Sequence, residues 1–317
     1  MTDTLFVLIE ARDGVPAESA LALLTEARRL SPDVEAVLVA PELGAVADRA
    51  GAAGAGTVHH VPADGHAADL VAAALADLIA VRAPVAVLAA ASTLGGETLA
   101  RLAARLGTGL LADVSSVRID DGVITAVKSE LGGTRLARCR VDDGLPLLTV
   151  RTGGLPAADS DGAPATVVTA PAPAAARTTV VEHLPATGDG VALEDARIVV
   201  SGGRAMGGAD GFAVLHELAA ALGPSAAVGS SRPAADAGWV PVELEIGISG
   251  KKVSPDLYLA CGISGASQHL AGMSGSRTVV AINKDPQAPI FSVADFGVVG
   301  DLFELVPALT AAIRARG

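Results

Sequence analysis

Polar and glycine-rich segments follow short apolar runs in the second half of this 317-residue chain. The runs predict strands of a parallel sheet, and such sheets bind ligands beyond the carboxyl ends of their strands. Glycines let the backbone approach a ligand closely, and a helix that starts after such a loop offers N–H groups to an anion. The pattern predicts a ligand site that includes Arg204, Ser231, Arg232, the loop 262–266, Gln268, His269, Asn283 and Asp301.

The loop 262–266 has two interpretations. Taken alone, it fits a structural turn between a strand and a helix predicted from about Ser267. Its surroundings favour binding, because Gln268 and His269 fall in the first turn of that helix and Asn283 ends the next predicted strand.

The first half of the chain offers little chemistry. It contains neither the dinucleotide-binding glycine pattern nor the P-loop pattern. His59 and His60 are adjacent on a predicted strand, so their side chains point to opposite faces and cannot share a metal ion. The glycines of 51–56 are more typical of a helix end than of a phosphate site.

Composition argues against several classes of partner. Half of the residues are hydrophobic and 18% are charged, which is typical of a globular protein. Aromatic residues make up 2% and the net charge is -12, which disfavours nucleic acid and anionic membrane surfaces. The uncharged stretch 257–276 contains glycines throughout, so we expect no membrane insertion, and with no secretory signal we expect a cytoplasmic protein. Cys139 and Cys261 are expected to be small buried residues.

Short apolar runs alternate with helical patterns in the first half, which predicts right-handed βαβ units and a parallel sheet. After Leu110 the runs become β-rich with turn signals such as Asp121-Gly122 and Gly132-Gly133, and we interpret them as antiparallel strands. The predicted strands are 5–9, 34–40, 57–61, 85–91, 116–119, 122–128, 135–141 and 147–151, and the predicted helices are 17–30, 66–81 and 96–106.

A segment rich in Pro, Ala, Thr and Gly (156–190) joins the two halves, with short strands predicted at 166–169 and 178–182. The strand–helix alternation then restarts, so we place a domain boundary near residue 187. The predicted fold class is α/β with two domains, 1–187 and 188–317. The second domain has predicted strands at 197–200, 226–230, 257–261, 278–283 and 290–294, and predicted helices at 212–222 and 302–314.

Seven strings of the second half carry a family resemblance. They are Ser201-Gly-Gly-Arg204, Val228-Gly-Ser-Ser-Arg232, Asp236-Ala-Gly-Trp-Val-Pro241, Gly262-Ile-Ser-Gly-Ala-Ser-Gln-His-Leu-Ala-Gly-Met273, Val280-Ala-Ile-Asn-Lys-Asp285, Ala288-Pro-Ile-Phe291 and Ala294-Asp-Phe-Gly297. In this order and spacing, they make residues 197–317 resemble the FAD-binding domain of electron transfer flavoprotein alpha subunits. The first half is similar to the N-terminal domain of that family more loosely, at 101–114 and at Thr149-Val-Arg-Thr-Gly-Gly-Leu-Pro156.

The resemblance implies an N-terminal α/β domain that faces a partner subunit and a C-terminal Rossmann-like domain that binds one FAD per alpha chain. It implies a heterodimer with a beta subunit, which holds AMP or, in bifurcating members, a second FAD. Such a protein is an electron carrier and not an enzyme. It takes electrons from acyl-CoA or other flavoprotein dehydrogenases, as in fatty acid beta-oxidation, and passes them to a quinone oxidoreductase.

The resemblance also implies cofactor contacts. Arg204 matches an FAD-contacting arginine, and Ser231 and Arg232 match a pair whose arginine lies over the isoalloxazine ring. Ser249 matches a hydroxyl that faces flavin N5, to which it can donate. The remaining matches are Ser264, Gly265, Ala266, Ser267, Gln268 and His269 in the loop and helix start that hold the cofactor, with His269 near the N1/O2 edge, and Asn283, Asp301 and Leu302 on the adenosine side.

Three positions of the cofactor-binding set, Ile248, His269 and Asp301, leave a question open. Ile248 stands where the family often has glutamine, so the hydrogen bond of that side chain is absent. The charge state of His269 at a helix start is open, because the helix dipole disfavours a cation there. Asp301 fits the N-cap of the terminal helix as well as a cofactor contact.

Two other functions compete with the carrier. A stand-alone nicotinamide- or flavin-dependent oxidoreductase of similar fold would need a general acid or base outside the cofactor strings, and the sequence offers none. A nucleotide-binding regulatory module would not need Arg232 and His269 at a redox-active ring. A yellow protein whose flavin bleaches to a red anionic semiquinone would favour the carrier.

Overall fold

The computed structural model describes residues 4–131, 135–153, 155, 162–173, 177–182 and 190–316. The chain divides into two compact units, one with 1–129 and 136–186 and the other with 187–317 and 130–135. The boundary predicted near residue 187, the turn predicted at Gly132-Gly133 and parts of the segment 156–190 lie outside the described residues.

The first unit is built on a mainly parallel sheet. Its strands are β1 (Leu5–Ile9), β4 (Val34–Val39), β5 (Thr57–Val61), β6 (Ala86–Ala90), β7 (Leu110–Asp120), β8 (Val123–Glu130), β9 (Arg135–Cys139), β10 (Leu147–Val150) and β11 (Thr166–Thr169), in the order β11-β5-β4-β1-β6-β10-β7-β8-β9. Two further short strands, β2 (Ala11–Arg12) and β3 (Val15–Pro16), pair with each other. The helices among the described residues are α1 (Glu18–Leu30), α2 (Val46–Ala52), α3 (Ala68–Arg82) and α4 (Thr93–Leu106).

Alternation along the strands gives the sheet two apolar faces. Successive side chains of a strand point to opposite sides. Leu5, Val7 and Ile9 of β1 therefore join one core with α1, whereas Phe6 and Leu8 join a second core with α3 and α4. A strand that is buried on both faces reads as a continuous apolar run, which is why the sequence predicts these strands well.

Two predictions in this unit are wrong. The pattern predicts β10 as antiparallel, but it pairs in parallel with β6 and β7, because its four buried residues lie inside the sheet and not in the antiparallel extension. Residues 178–182 form no strand: the Asp69 carboxylate at the start of α3 accepts hydrogen bonds from the Thr178 hydroxyl and from the backbone of Arg177. The antiparallel pairing of β7 with β8 is confirmed.

A buried ion cluster lies on the α3 side of the sheet. Glu35 of β4 is 3% exposed, and its carboxylate lies 2.6 Å from Nε2 of His59 on β5. Arg82, at the end of α3, donates to both carboxylate oxygens. Burial raises the pKa of the Glu35 carboxyl, but the Arg82 and His59 contacts outweigh it and leave that pKa below its ordinary value.

The second unit is a five-stranded parallel sheet. Its strands are β12 (Ile198–Gly202), β13 (Ala226–Ser230), β14 (Leu257–Cys261), β15 (Thr278–Asn283) and β16 (Phe296–Val299), in the order β13-β12-β14-β15-β16. Its helices are α5 (Ala213–Leu222), α6 (Arg232–Asp236), α7 (Ser267–Met273) and α8 (Leu302–Arg314), with short 3-10 turns at Arg204–Met206, Ala209–Phe212, Val242–Leu244 and Pro289–Ser292.

The strand predicted at 290–294 is wrong. Pro289–Ser292 forms a 3-10 turn, and the edge strand is β16, a few residues later. Pro289 restricts the backbone to a conformation that suits a turn. Ile290 is fully buried in the core, and its N–H donates to the Ser264 carbonyl. A short apolar run indicates a buried segment, but its periodicity alone does not tell whether that segment is a strand or a turn.

Strand order in the second unit creates a crevice. The chain runs from β12 to β13 on one side and then returns to β14 on the other side of β12. The chain therefore continues in opposite directions across the sheet after β12 and after β14, and open parallel sheets bind ligands outside the carboxyl ends of such strands. Cys261, which ends β14, is buried, and burial raises the pKa of its thiol to about 12; Cys139 on β9 is only partly buried, contrary to expectation.

Among the described residues, no helix has the length and apolarity to cross a membrane. The same part of the chain holds no group of three His, Cys, Asp or Glu side chains with the arrangement of a metal site.

Candidate functional site

A cavity of about 580 Å³ opens at the carboxyl ends of β12, β13 and β14. Its volume is typical of small-molecule and cofactor sites. Ten residues predicted from the sequence line it: Arg204, Ser231, Arg232, Ile248, Ser249, Ser264, Ala266, Gln268, His269 and Asn283. The fold therefore gathers into one cavity residues that are up to 79 positions apart, counting from Arg204 to Asn283.

Four predicted residues do not line the cavity. Gly265 packs against the backbone of Ile290, and Ser267 is exposed. Asp301 caps α8 by accepting from the Phe303 N–H at 2.9 Å, and Lys284 lies 2.9 Å away and lowers the pKa of its carboxyl. Leu302 is 4% exposed within the apolar core beneath the site.

Two glycine loops touch at the floor of the cavity. A Cβ added to Gly203 would lie 2.1 Å from the carbonyl oxygen of Gly262. Gly262 itself has φ +64, and a Cβ there would lie 2.6 Å from Cβ of Ala205. Only glycine fits both the left-handed backbone and the close approach, so the loops after β12 and β14 meet without side chains between them.

Two arginines supply positive charge to the cavity wall. Arg204 is exposed, and the Arg232 side chain is 65% exposed with Nε 3.2 Å from Asp236. An exposed ion pair of this length holds an arginine weakly, so both guanidinium groups remain available to an anion. Each arginine brings a full positive charge to the site. The helix α7, which spans only seven residues, contributes only the partial charge of its dipole.

His269 is a neutral, buried member of the wall. Its Nε2 lies 2.8 Å from the hydroxyl of Tyr258, a fully buried residue of β14. Its Nδ1 is also buried and makes no hydrogen bond of normal geometry. The backbone of Ile246 lies nearby and slightly raises the pKa of the imidazole, against the larger effect of burial. Burial lowers the pKa of the imidazole to about 4, which settles the charge that the sequence leaves open: the ring is uncharged at pH 7.

Asn283 braces the site from below. Its side-chain Nδ2 donates to the Ile263 carbonyl at 2.9 Å, and its Oδ1 accepts from the Asp285 N–H at 3.0 Å. The first bond ties the end of β15 to the loop after β14, and the second holds the turn that follows β15. The exposed Ile248 lacks a polar side chain, but its backbone N–H donates to the Gln268 carbonyl at 2.9 Å and holds that segment in place.

Glu245 is a cavity residue that the sequence does not predict. It is 4% exposed, and its Oε1 accepts a hydrogen bond of 2.7 Å from the Ser249 hydroxyl. The hydrogen that Ser249 was expected to offer to a ligand is therefore used within the protein. No sequence pattern marks Glu245, which stands among alternating acidic and apolar residues. The remaining lining residues are Ala205, Pro233, Ile246, Gly247, Asp285, Ala288 and Pro289, together with Gly262 and Ile263 of the predicted loop 262–266.

Comparison with known protein families gives two matches. The electron transfer flavoprotein FAD-binding domain matches residues 192–274, which include most of the cavity wall. The electron transfer flavoprotein domain matches residues 5–187, which is most of the first unit.

Comparison with curated proteins finds relatives over nearly the whole chain. The electron transfer flavoprotein subunit alpha of Mycobacterium leprae is 45% identical over 318 residues, covering 98% of both chains. The subunits alpha of Pseudomonas aeruginosa and Bacillus subtilis are 40% and 38% identical, and the match covers 98% of this chain in each case and 99% and 97% of theirs.

Proposed function

Because the chain belongs to the electron transfer flavoprotein alpha-subunit family, we propose that its second unit binds one FAD in the cavity described above and carries electrons between other redox proteins. The observation that carries this proposal is the position of the cavity. It lies at the strand ends where the sheet order reverses, and Arg204 and Arg232 stand on its wall. A dinucleotide cofactor brings a pyrophosphate and an aromatic ring system to such a crevice.

The residues of the cavity fit this cofactor. The glycine contact between Gly203 and Gly262 leaves backbone surface for close approach, and the arginines match a pyrophosphate or an electron-rich ring. The buried Nδ1 of His269 lacks a well-formed hydrogen bond within the protein, so a ligand that reorders this wall can give it one.

When bound, FAD supplies reversible electron transfer, and the chain supplies position and charge. Arg232 keeps a permanent positive charge near the ring and favours an electron-rich state. His269 contributes hydrogen bonding without charge, because its imidazole is neutral at pH 7. Asn283 holds the loop that carries Ser264, and the apolar wall around Ile263 limits water.

We further propose that the chain works with a beta subunit, which holds AMP or a second FAD, in the cytoplasm. Its donors are acyl-CoA or other flavoprotein dehydrogenases and its acceptor is a quinone oxidoreductase. In this role the chain turns over no substrate of its own. The adenosine-side roles of Asp301 and Leu302 remain part of this proposal, although neither residue lines the cavity.

The direct test is FAD titration of the full chain, co-purified with a beta subunit, followed by flavin absorbance and calorimetry. We expect Arg232→Ala to weaken FAD binding about tenfold and to lower the flavin midpoint potential, because a charge-assisted contact is lost. Arg197→Ala is the matched control: Arg197 is also exposed and paired, with Asp256 at 2.6 Å, but it does not line the cavity. Equal affinity and equal potential in the two variants would contradict the role of Arg232.

A second test addresses the partner. Apolar side chains are exposed along β16, where Phe296 is 65% and Val299 is 57% exposed, and exposed apolar surface often marks an interface. We expect the alpha chain expressed alone to aggregate or to lose FAD, and co-expression with a beta subunit to give a soluble, yellow heterodimer on gel filtration. A stable, FAD-replete monomer would contradict the heterodimer.

A further inference from the structure

A pair of buried polar rings lies behind the cavity wall. Tyr258 of β14 is fully buried and does not line the cavity, but its hydroxyl oxygen lies 2.8 Å from Nε2 of His269, which does. The two rings also pack edge to face, with their centroids 6.2 Å apart. A residue outside the cavity therefore holds a residue of its wall.

The Tyr258 hydroxyl has a hydrogen to give to His269. Burial raises the pKa of this hydroxyl well above its ordinary value, so it stays protonated at pH 7. The Ser201 hydroxyl of β12 counteracts part of that rise, which is the effect of a donor that faces the Tyr258 oxygen. Since Ser201 acts as a donor to Tyr258, the single hydrogen of Tyr258 is left for Nε2 of His269.

The position of the one hydrogen on the neutral His269 ring follows from its other neighbour. The backbone of Ile246 raises the pKa of the imidazole, which is the effect of an acceptor. The Ile246 N–H already donates to the Ser230 carbonyl at 2.8 Å, so the group that faces the ring is the Ile246 carbonyl. Because Nε2 faces Tyr258, this carbonyl lies on the Nδ1 side, where a lone pair would be repelled. The hydrogen therefore belongs on Nδ1.

We propose that Tyr258 is a positioning residue that fixes the hydrogen of His269 on Nδ1, so that this wall of the cavity gives a hydrogen to its ligand and accepts none. The inference rests on the proposed function, in which the ligand is FAD. The contact with Ile246 falls short of normal hydrogen-bond geometry, so Nδ1 still has its hydrogen to offer when a ligand reorders the wall. A wall with its hydrogen already in place binds more tightly, because binding then orders fewer groups.

The test starts with the hydrogen itself. Nitrogen NMR of isotope-labelled histidine, in the full chain co-purified with a beta subunit, shows which ring nitrogen carries hydrogen. The signals of His269 are identified by their loss in His269→Gln. We expect the hydrogen on Nδ1, both with and without FAD. A hydrogen on Nε2 would overturn the proposal, because Tyr258 could then not donate to that nitrogen.

Tyr258→Phe removes the hydroxyl and keeps the ring contact. We expect the His269 signals to move toward a mixture of the two hydrogen positions, and the FAD affinity measured by calorimetry to fall about fivefold, the effect of one neutral hydrogen bond. Thr310→Val is the matched control: the Thr310 hydroxyl is also buried in the second unit and donates to the Val306 carbonyl at 2.9 Å, but it does not line the cavity. It should leave FAD affinity unchanged. An equal loss of affinity in both variants would refute the positioning role.

Two further variants separate positioning from simple support of the fold. In His269→Gln we expect an added Tyr258→Phe to cost no further FAD affinity, because Tyr258 acts through His269. A full fivefold loss there contradicts the proposal. If Tyr258→Phe does not fold, fluorotyrosine takes its place, since Tyr258 is the single tyrosine of the chain. Fluorine makes the hydroxyl a stronger donor and should shift the Nε2 signal of His269, and an unchanged signal refutes the inference.

The remaining outcomes distinguish this inference from the proposed function. An unchanged hydrogen position or an unchanged FAD affinity in Tyr258→Phe refutes the inference and leaves the proposed function intact. A wild-type complex that takes up no FAD refutes the proposed function and the role of Tyr258 toward FAD, whereas the hydrogen position in that complex still decides whether Tyr258 holds His269.

Discussion

Replacing Glu35 by alanine is expected to destabilise the first unit by about 3 kcal/mol, the low end of the range for breaking a buried ion pair. Glu35 is 3% exposed and receives hydrogen bonds from His59 and Arg82. Its removal leaves the buried His59 without its carboxylate. The loss stays at the low end because the Arg82 side chain is 47% exposed and can turn to water.

Hydrogen exchange of the β4 and β5 amides in urea measures this loss within the first unit. Glu97→Ala is the matched control, since Glu97 also accepts two hydrogen bonds from an arginine, Arg101, but both side chains are about half exposed. We expect Glu97→Ala to lower the free energy of unfolding by less than about 0.5 kcal/mol, because that ion pair lies at the surface. A loss as small in Glu35→Ala would show that the buried cluster adds no stability.

The same cluster gives stability a definite dependence on pH. The pKa of Glu35 is lower in the folded protein than its ordinary value of 4.5, so the unfolded chain binds the proton more tightly. The contribution of Glu35 is complete above pH 4.5 and is lost as the pH falls through the folded pKa. In Glu35→Ala this part of the acid sensitivity of the β4 and β5 amides should disappear.

Gly262→Ala is expected to abolish tight FAD loading. The substitution forces an alanine into φ +64, which costs about 1–2 kcal/mol, and places its Cβ 2.6 Å from Ala205 and 2.8 Å from Leu302. The loop after β12 has to move away, and it carries Arg204 with it. We expect FAD affinity to fall more than tenfold in calorimetric titration, with less flavin per chain after purification.

Two other glycines separate the causes of this effect. Gly238 also has a left-handed backbone, at φ +70, but a Cβ there meets nothing within 4 Å. Gly208 is extended and equally open. We expect Gly238→Ala to lose only stability and Gly208→Ala to lose neither stability nor FAD binding. If Gly238→Ala loses FAD as severely as Gly262→Ala, backbone strain and not loop contact is responsible.

The sequence by itself determined most elements of the fold. Strands such as β5 and β13, and the terminal helix α8, begin and end at the predicted residues. These signals are local: an apolar run that is buried on both faces, or a stripe of apolar residues every three to four positions, is dictated by neighbours along the chain. The family strings also located the loops that form the cavity.

Only the tertiary structure showed which residues the family strings bring together in the cavity. The sequence could not show that β10 lies in parallel between β6 and β7, or that 289–292 turns while β16 completes the sheet. It missed Glu245 and left the charge of His269 open. Each of these depends on the path of the backbone through space, because burial, and with it the cost of a charge or the direction of a hydroxyl, is set by residues that are distant along the chain.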